Sequence, residues 1–565
     1  MMKSVFLKFI ILFFLQISTI ICRFPDAVGL NGMVVSSNNL ATQAGVDILN
    51  NGGNAIDAAI AVGFTLAVTH PGAGNIGGGG FMVIRFSDGT STSIDFRETA
   101  PGLSTKNMFL DENGEVIQGM SWSTAYASGV PGTVAGFGYA HAKYGKLRWP
   151  SLLKSSIDLA KFGHKIDYLN FSLLNNEYYR EYLANDVETK KIFYKDDGFT
   201  LDEIFIQKDL ASTLSRIANR GYEEFYTGET AKNIIRCMDR TGGLISESDL
   251  KNYSPVERKP VEFYYRKHKI ITMPPSSSGG IVLAEIMNQL ENLDMDSIEY
   301  HSSRHIHYMS EIEKIAYADR AEALGDMDFI NIPIKRMISD EYARKQFDKI
   351  DCCSANDSNE INPISIDINE KEETTHYSVI DKWGNSVSVT TTINGWYGSG
   401  ITVDGSGFLL NNEMDDFSSK PGYPNKYGLV GSSANSIEPN KRMLSSMTPT
   451  IIEDIDGDVF LIVGSPGGST IITTVAQIIS NVIDYNMPLK DAVEAPRTHH
   501  QWIPNNVYIE SNSFNSNLIN ELNQMGHVIA EKRTIGEANC IMYDKKIKAY
   551  LGVADSRRNG SAIGY

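Results

Sequence analysis

The sequence predicts an α+β protein in which helices and antiparallel strands occur in both halves of the chain. Apolar residues recur at helical spacing over residues 40–49, 55–67, 312–324 and 470–484. Two pairs of short β-forming runs each enclose a turn signal, at 81–86 with 92–96 and at 377–381 with 386–393. Further strands are expected at 407–410, 450–453 and 459–463. Closely spaced paired runs form hairpins, so the sheets are expected to be antiparallel.

The first helices and the first hairpin are defined by the residues at their ends. The helix at 40–49 stops at Asn51-Gly52-Gly53, and Asn54 is suited to cap the next helix, which is built of small residues. The first hairpin turns at Asp88-Gly89, and Arg97 stands at its far end. From about residue 150 to 350 the pattern is mainly helical, interrupted by a Pro, Ser and Gly loop at 274–280.

The second hairpin sets the neighbours of Thr374. A tight turn between Trp383 and Asn385 pairs residues whose numbers sum to about 767 to 769. Thr374 is then opposite residues 393–395, with Thr392 and Asn394 beside it. These two side chains are able to hydrogen-bond a nucleophile, although a run of threonines at 390–392 is by itself more typical of an ordinary strand.

Length and composition limit the classes of protein that are possible. The chain has 565 residues, enough for several domains or one large layered unit, and its 42% hydrophobic and 21% charged residues are typical of a globular protein. Its formal charge is −17, from 51 Lys plus Arg and 68 Asp plus Glu. An acidic chain gains no counterion-release affinity for phosphate backbones, so nucleic acid is not expected as a partner.

The amino terminus predicts export. Lys3 and Lys8 precede a short apolar run at 9–15, and residues 1–22 together have the pattern of a signal peptide. A retained anchor helix is the alternative, but Lys8 shortens the apolar run below the ~20 residues of a membrane span. The protein is therefore expected to be periplasmic or extracellular. The cysteines form no C-x-x-C pair and no evident disulfide framework.

The chemistry of the chain is expected at Thr374. Residues 351–373 contain seven acids and one lysine without an apolar period, which predicts an exposed, flexible segment that ends where a strand begins. Cleavage before Thr374 would give this threonine a free α-amine, whose reference pKa of ~8 suits a general base. One residue would then supply both the nucleophile and the base.

Three later loops have residues of the kind that bind a substrate. They are the acidic run 411–416, Leu444-Ser445-Ser446, and the glycine-rich run 464–469. Adjacent glycines such as Gly467 and Gly468 allow backbone N–H groups to approach an oxyanion, although each motif alone is also typical of a tight turn.

No cofactor or metal is predicted. The run 72–77 satisfies G-x-G-x-x-G, but it follows a helix and precedes a strand, the reverse of a dinucleotide-binding turn. The histidines at 301, 305 and 307 lack a metal-binding pattern, and His301, His305 and the pair at 499–500 are expected on solvated faces. Cys352-Cys353 lies in the acidic segment and is not taken as a metal site.

Several of these motifs, in this order, resemble the γ-glutamyltransferases, also called γ-glutamyltranspeptidases. The resemblance in the second half rests on 374–379, 410–418, 439–447 and 464–469, and in the first half on 50–55, 69–71, 77–81 and 95–98. It implies an N-terminal-nucleophile (Ntn) hydrolase, an αββα sandwich of two antiparallel sheets between helical layers. It also implies two subunits cut from one precursor, about 23–373 and 374–565.

The resemblance assigns a role to each site residue. It implies that Thr374 is the nucleophile, that Thr392 hydrogen-bonds it, and that the amides of Gly467 and Gly468 form the oxyanion hole. The other implied residues bind the donor: Arg97, Ser445 and Ser446 its α-carboxylate, Asn394, Glu413 and Asp416 its α-ammonium, and Tyr427 as a lid over the site. Position 413 is Glu where some members carry Gln. A guanidinium fork suits a carboxylate and paired acids suit an ammonium, so residue chemistry and resemblance agree.

The implied reaction takes γ-glutamyl groups from glutathione and similar donors and passes them to water or to an amino-acid or peptide acceptor. Two alternatives remain. One is an acylase for glutaryl amides, although Glu413 and Asp416 would then be buried acids without a cation. The other is an exported amino-acid-binding protein that never cuts itself.

Overall fold

A computed structural model describes residues 24–358 and 374–565. The expected signal peptide at 1–22 and residues 359–373 of the acidic segment lie outside the described residues. The strands are β1 Ala27–Gly29, β2 Met33–Ser36, β3 Gly79–Arg85, β4 Ser91–Asp95, β5 His164–Lys165, β6 Ile204–Phe205, β7 Val256–Arg258, β8 Val261–Tyr265, β9 His268–Thr272, β10 Thr375–Ile380, β11 Ser386–Thr392, β12 Thr450–Glu453, β13 Val459–Val463, β14 Thr498–His499, β15 Val507–Glu510, β16 Ile529–Lys532, β17 Asn539–Asp544, β18 Ala549–Ala554 and β19 Ser561–Gly564.

The α-helices occupy both halves of the described chain. They are α1 Asn39–Asn50, α2 Ala55–Thr69, α3 Thr133–Tyr144, α4 Trp149–Leu152, α5 Lys154–Phe162, α6 Tyr168–Leu174, α7 Glu177–Ala184, α8 Val187–Phe193, α9 Lys208–Arg220, α10 Glu223–Thr227, α11 Glu229–Thr241, α12 Glu247–Asn252, α13 Gly279–Leu290, α14 Ser303–Ala323, α15 Ile334–Met337, α16 Asp340–Phe347, α17 Ile471–Ile483, α18 Leu489–Glu494 and α19 Ser516–Gln524.

Two seven-stranded sheets form the centre of the molecule. Sheet I has the order β1-β18-β17-β13-β12-β9-β8, and sheet II has the order β19-β2-β10-β11-β3-β4-β7. Every neighbouring pair in both sheets is antiparallel. The expected antiparallel α+β architecture is therefore confirmed.

The layers follow from the alternation of side chains along each strand. In β2, Val34 packs with α2 on one face of sheet II, while Met33 and Val35 face sheet I. In β9, Ile271 belongs to the core between the sheets, while Ile270 packs with α13 and α17 on the outer face of sheet I. Because a strand has a side-chain period of two, each sheet buries both faces. The result is an αββα sandwich.

The β10–β11 hairpin lies in the middle of sheet II, between β2 and β3. Its pairs are Thr375 with Thr391 and Ile380 with Ser386, so the numbers sum to 766 and the predicted register of 767 to 769 is wrong. The reason is that the turn begins at Asp381, whose carboxylate accepts hydrogen bonds from the backbone N–H groups of Trp383 (2.9 Å) and Asn385 (3.0 Å). Continued by one pair, this register places Thr392 opposite Thr374.

Most predicted elements are confirmed, and two groups of residues differ. Asn54 caps α2 with a capping box through Asp57, and β12 and β13 have their predicted bounds. Residues 407–410 form no strand; only an isolated bridge joins Thr402 and Leu409 there. His305, His499 and His500 are buried and His301 is half-buried, so the expected solvated faces are wrong for them. Tertiary packing covers these histidines, which local spacing does not reveal.

The described start of the acidic segment is attached to α14. Residues 351–354 are exposed as expected. A nitrogen of His307 lies 2.7 Å from the carbonyl oxygen of Asp351, and Glu311 accepts a hydrogen bond from the backbone N–H of Asn356 (3.1 Å). Across residues 24–358 and 374–565, no helix has the length and apolar character needed to cross a membrane. The four cysteines of these ranges are unpaired.

Candidate active site

One cleft at the ends of strands from both sheets collects the predicted site residues. Of the eleven, all but Gly467 line it, and Gly467 precedes one that does. The lining is Arg97, Arg320, Thr374, Thr392, Asn394, Glu413, Asp416, Tyr427, Leu429, Ser445, Ser446, Met447, Gly468 and Ile471. The strand ends bring together residues that are far apart in sequence, from Arg97 to Ile471.

Arg97 joins the charged groups of the cleft. It follows β4, where its backbone N–H donates to Asp95 (3.0 Å). Its guanidinium forms ion pairs with Glu413 (2.5 Å) and Asp416 (2.5 Å), and Glu98 lies 3.6 Å away. The residues predicted to receive a carboxylate and an ammonium are therefore in direct contact with one another.

Burial dominates the electrostatics of this cluster. It raises the pKa of Glu413 and of Asp416, and the nearby Arg97 opposes that rise. Burial also raises the pKa of Glu98 well above its ordinary value, and Glu413 adds to the effect. The pKa of Arg97 is raised by Glu413 and Asp416 in spite of its burial, so the arginine is a permanent cation.

Thr374 lies at the start of the central hairpin and is only 4% exposed. Thr392, one position beyond the last pair of β10 with β11, accepts a hydrogen bond from the backbone N–H of Asn394 (2.7 Å). The Asn394 amide donates to the carbonyl of Asn412 (3.0 Å), which links β11 to the acidic run. Thr375 has a different environment, because its hydroxyl hydrogen-bonds that of Ser37 (3.1 Å).

Ser445 and Ser446 are held by the loop at 274–280. The backbone N–H of Ser445 donates to Ser276 (3.0 Å), and Ser278 donates to the Ser445 carbonyl from both its backbone N–H (2.8 Å) and its hydroxyl (2.6 Å). The loop interpreted as an interruption of the helical region therefore supports the two predicted serines.

Gly467 and Gly468 connect β13 to α17. Their φ angles are 139° and 52°, which L side chains rarely adopt. A Cβ at Gly468 would lie 2.7 Å from the ring of Tyr427, so there is no room for a larger residue. Within the described ranges, no hydrogen bond is formed by either backbone N–H. Two donors at the start of a helix suit a developing negative charge.

Tyr427 lines the cleft beside Gly468. Its hydroxyl donates to the carbonyl of Asn394 (2.9 Å), and its ring packs on Gly468. The neighbouring Asn425 donates to Asp416 (3.0 Å), and the backbone N–H of Lys426 donates to Asp415 (2.8 Å). The loop at 424–428 thus contacts the acidic run directly.

Sequence reasoning missed several residues of the cleft. Leu429, Met447 and Ile471 are apolar lining, and each adjoins or nearly adjoins a predicted residue. Arg320, in the last turn of α14, lies far from every motif, and no local signal distinguishes it from a surface arginine. Elsewhere in the described ranges, Asp351, Cys352 and Cys353 form an exposed group of possible metal ligands, but none of them lines the cleft.

Comparison with known proteins identifies the fold first. A crystal structure of cephalosporin acylase from Bacillus halodurans superimposes with a TM-score of 0.79, covering 97% of this chain and 98% of that one at 23% identity. Two stacked antiparallel sheets between helices, with a threonine at the start of a central strand, define the class of Ntn-hydrolases.

The family follows from closer relatives. The gamma-glutamyltranspeptidase family matches residues 41–565. A glutathione hydrolase proenzyme of Escherichia coli K12 is 46% identical over 529 residues, 93% of this chain and 90% of the relative. The crystal structure of Helicobacter pylori gamma-glutamyltranspeptidase is 43% identical with a TM-score of 0.57, covering 58% of this chain and 94% of that one. The chain belongs to the γ-glutamyltranspeptidase family and is an enzyme of the γ-glutamyltransferase type.

Proposed function

We propose that this enzyme is exported, cuts itself before Thr374, and uses Thr374 to release γ-glutamyl groups from glutathione and similar donors. The acyl group then passes to water or to an amino-acid or peptide acceptor. The observation that carries the proposal is the convergence of Thr374, Arg97, two acids and two serines on one cleft. Relatives named as glutathione hydrolase proenzymes support the donor and the self-cleavage.

The mature enzyme consists of residues about 23–373 and 374–565, held together as a heterodimer. The intermixing of strands supports this arrangement, since β10, β11 and β19 of the second part pair with β2 and β3 of the first. Removal of residues 1–22 on export rests on the charge and hydropathy pattern of that segment.

The chemistry needs only groups of the protein. After cleavage, the α-amine of Thr374 takes the proton of its own hydroxyl, and the oxygen attacks the γ-carbonyl of the donor. Negative charge builds on the carbonyl oxygen, where the N–H groups of Gly467 and Gly468 donate to it. The leaving amine takes the proton from the Thr374 ammonium and an ester remains. Water or an acceptor amine then attacks the ester and restores Thr374.

The charges of the cleft favour a donor with an α-amino-acid end. Carboxylate and ammonium are attached to the same carbon of such a donor, so their receptors must also be adjacent. The contact of Arg97 with Glu413 and Asp416 provides opposite charges side by side. A glutaryl amide would leave Glu413 and Asp416 to share Arg97 as a cationic partner, whereas the ammonium of a γ-glutamyl donor adds a second positive charge, which favours the γ-glutamyl donor over the acylase alternative.

Self-cleavage and turnover are tested together by Thr374→Ala. We expect intact mass and N-terminal sequencing to find two fragments for the wild type, the smaller beginning at Thr374, and one uncut, inactive chain for the variant. Release of γ-glutamyl groups by a cleanly purified alanine variant would falsify the assignment.

Thr375→Ala is the matched control, because Thr375 is adjacent but hydrogen-bonds Ser37. It should retain at least part of the self-cleavage. If Thr375→Ala alone abolishes cutting and Thr374→Ala cuts normally, the assignment of Thr374 is wrong and Thr375 is the nucleophile. An uncut, inactive wild type that binds glutamate would instead favour an amino-acid-binding protein.

A further inference from the structure

Two neighbouring thiols lie outside the cleft, and the mechanism above does not use them. Cys352 and Cys353 are both exposed, and their Sγ atoms are hydrogen-bonded at 2.8 Å. The hydrogen bond with Cys352 raises the pKa of Cys353, which indicates that the shared proton stays on Cys353. Cys352 is then the sulfur that is free to attack, because the nucleophile is a thiolate and not a thiol.

The turn that carries these thiols is fixed to the rest of the protein. The Asp351 carboxylate accepts hydrogen bonds from the backbone N–H groups of Cys353 (2.9 Å) and Ser354 (3.0 Å). The carbonyl of Asp351 contacts α14, and the backbone N–H of Ala355 donates to the carbonyl of Met525 (2.7 Å). Both sulfurs are therefore held side by side at the surface, so a second thiol is already in position when the first one reacts.

The other two cysteines of the described ranges differ in access. Cys237 and Cys540 are buried, and burial raises the pKa of Cys237 to about 12 and also raises that of Cys540. The reactivity of a thiol depends on both its exposure and its ionisation. Within residues 24–358 and 374–565, thiol chemistry is therefore expected at Cys352 and Cys353.

We propose that Cys352 and Cys353 form a thiol–disulfide exchange site for small-molecule disulfides, and that the pair closes reversibly into a disulfide between adjacent residues. The Cys352 thiolate attacks one sulfur of the small disulfide, whose S–S bond breaks, and the first small thiol leaves and takes up a proton. The Cys353 thiolate then attacks the Cys352 sulfur of the mixed disulfide and expels the second small thiol. The cysteine pair is oxidised by two electrons, the small disulfide is reduced to two thiols, and the two cysteine protons end on these thiols.

The reverse reaction, reduction by small thiols, is expected to be easy. Consecutive Cα atoms are about 3.8 Å apart, whereas ordinary disulfides join Cα atoms about 4.4–6.8 Å apart. A disulfide between adjacent residues is therefore strained, and strained or exposed disulfides are the labile ones. The redox state of the turn then follows the ratio of small disulfide to small thiol around the enzyme. Glutathione and its disulfide are the pair that the proposed function brings to the enzyme, and only this choice of partner rests on that function.

The test uses the full, cut protein and hydroxyethyl disulfide, a probe without a γ-glutamyl group, in the presence of a metal chelator and without oxygen. Remaining thiols are alkylated after denaturation, and the peptide that contains residues 352–353 is analysed by mass spectrometry. We expect this peptide to lose two hydrogen atoms and to escape alkylation, while Cys237 and Cys540 are alkylated as internal controls. Oxidised glutathione should give the same product, and excess dithiothreitol should restore both thiols.

Cys352→Ser and Cys353→Ser separate ring closure from simple exposure. Each variant lacks the second thiol, so it should stop at a mixed disulfide with one small thiol on the remaining cysteine. Turnover of a γ-glutamyl anilide should equal that of the wild type in both variants, since neither residue lines the cleft.

The proposal is overturned if both cysteines of the wild type stay reduced, if each keeps its own small thiol without closing, or if two protein molecules become linked instead. Absence of anilide turnover in the wild type would contradict the proposed function. Closure of the pair with hydroxyethyl disulfide would still support the exchange site in that case, because this probe is not a γ-glutamyl donor.

Discussion

At the scale of single residues, the ion pairs of Arg97 couple both ends of the predicted donor site. A substitution at Glu413 or Asp416 removes a possible ammonium ligand and also a partner of Arg97. Effects of paired substitutions are therefore not expected to add. Comparing donors with and without one charged group separates the loss of the ammonium ligand from the loss of the Arg97 partner. The ion pair with Arg97 is lost equally whichever donor is bound.

We expect Asp416→Asn to discriminate between donors that differ by one amine. Hydrogen bonds to charged groups contribute about 1.5–3 kcal/mol net, so kcat/KM for a γ-glutamyl anilide should fall on the order of tenfold to a hundredfold. A glutaryl anilide, which has no ammonium, should lose little, and self-cleavage should persist. Equal proportional losses on both anilides would mean that Asp416 supports the fold or Arg97 rather than the ammonium.

Arg97→Lys is expected to raise the donor KM more than it reduces maturation. Lysine keeps the charge but cannot contact Glu413 and Asp416 at the same time through a planar fork. The measurement is KM and kcat on a γ-glutamyl anilide, together with the cut fraction on a denaturing gel. Unchanged donor kinetics would remove Arg97 from the site.

The pH dependence of donor selection follows from the raised pKa of Glu413 and Asp416. A carboxyl must be ionised to pair with an ammonium, and burial shifts this ionisation above the ordinary pKa of each group. The ratio of kcat/KM for γ-glutamyl over glutaryl anilide should therefore rise as pH increases from about 5 to 8. The ratio cancels the ionisation of the Thr374 amine, which affects both donors. If this ratio does not change with pH in the wild type or in Glu413→Gln, the assignment of the ammonium site is contradicted.

At the scale of elements, the loop at 424–428 contacts the acidic run and the residue after β11, and we propose that it controls access to the acyl-enzyme. Tyr427 contributes a ring on Gly468 and a hydrogen bond to Asn394. We expect Tyr427→Ala to change the ratio of hydrolysis to transfer, because a lid acts after the leaving group departs. Tyr427→Phe keeps the ring and should change this ratio less. A wild-type ratio in Tyr427→Ala would exclude a lid role.

Asp381 stabilises the central hairpin through contacts that no local pattern predicts. Besides the turn, its carboxylate accepts from the backbone N–H of Ala55 at the start of α2 (2.9 Å). Asp381→Ala should cost at least about 2 kcal/mol of unfolding free energy, because buried donors lose their partner. Asp381→Asn retains one acceptor and should cost less. Chemical unfolding and the extent of self-cleavage are the measurements, and equal stability of all three proteins would contradict this role.

At the scale of the whole molecule, neither predicted subunit has a complete sheet. Sheet I takes β8 and β9 from before residue 374 and β12 and β13 from after it, and sheet II inserts β10 and β11 between β2 and β3. Each fragment alone would expose unpaired strand edges and both apolar faces. Folding therefore has to precede cleavage.

We expect fragments 24–373 and 374–565, expressed separately and mixed, to give no activity. The cut wild type should instead unfold in one transition, with both fragments eluting together under native conditions. Recovery of activity on mixing independently folded fragments would contradict this dependence on the precursor.

The sequence by itself determined the family and most of the local structure, and it predicted residues that fold into one cleft. Asn54 capped α2, the strands at 450–453 and 459–463 had their predicted bounds, and ten predicted residues line one cleft. Helix caps, turns and the alternation of apolar and polar residues in strands depend on neighbouring residues, so the sequence predicts them. Several long motifs in a fixed order identify the family. The predicted roles of the site residues remain predictions.

The tertiary structure alone decided the contacts between distant segments. Packing buried His499 and His500, folding brought Arg97 to Asp416, and the Asp381 carboxylate reached the backbone of Ala55. Arg320 entered the cleft because α14 packs beside the loop that carries Ser278 and near Ser446. Burial and ion pairing are properties of what surrounds a side chain in space, and residues far apart in sequence supply those surroundings only after the sheets have assembled.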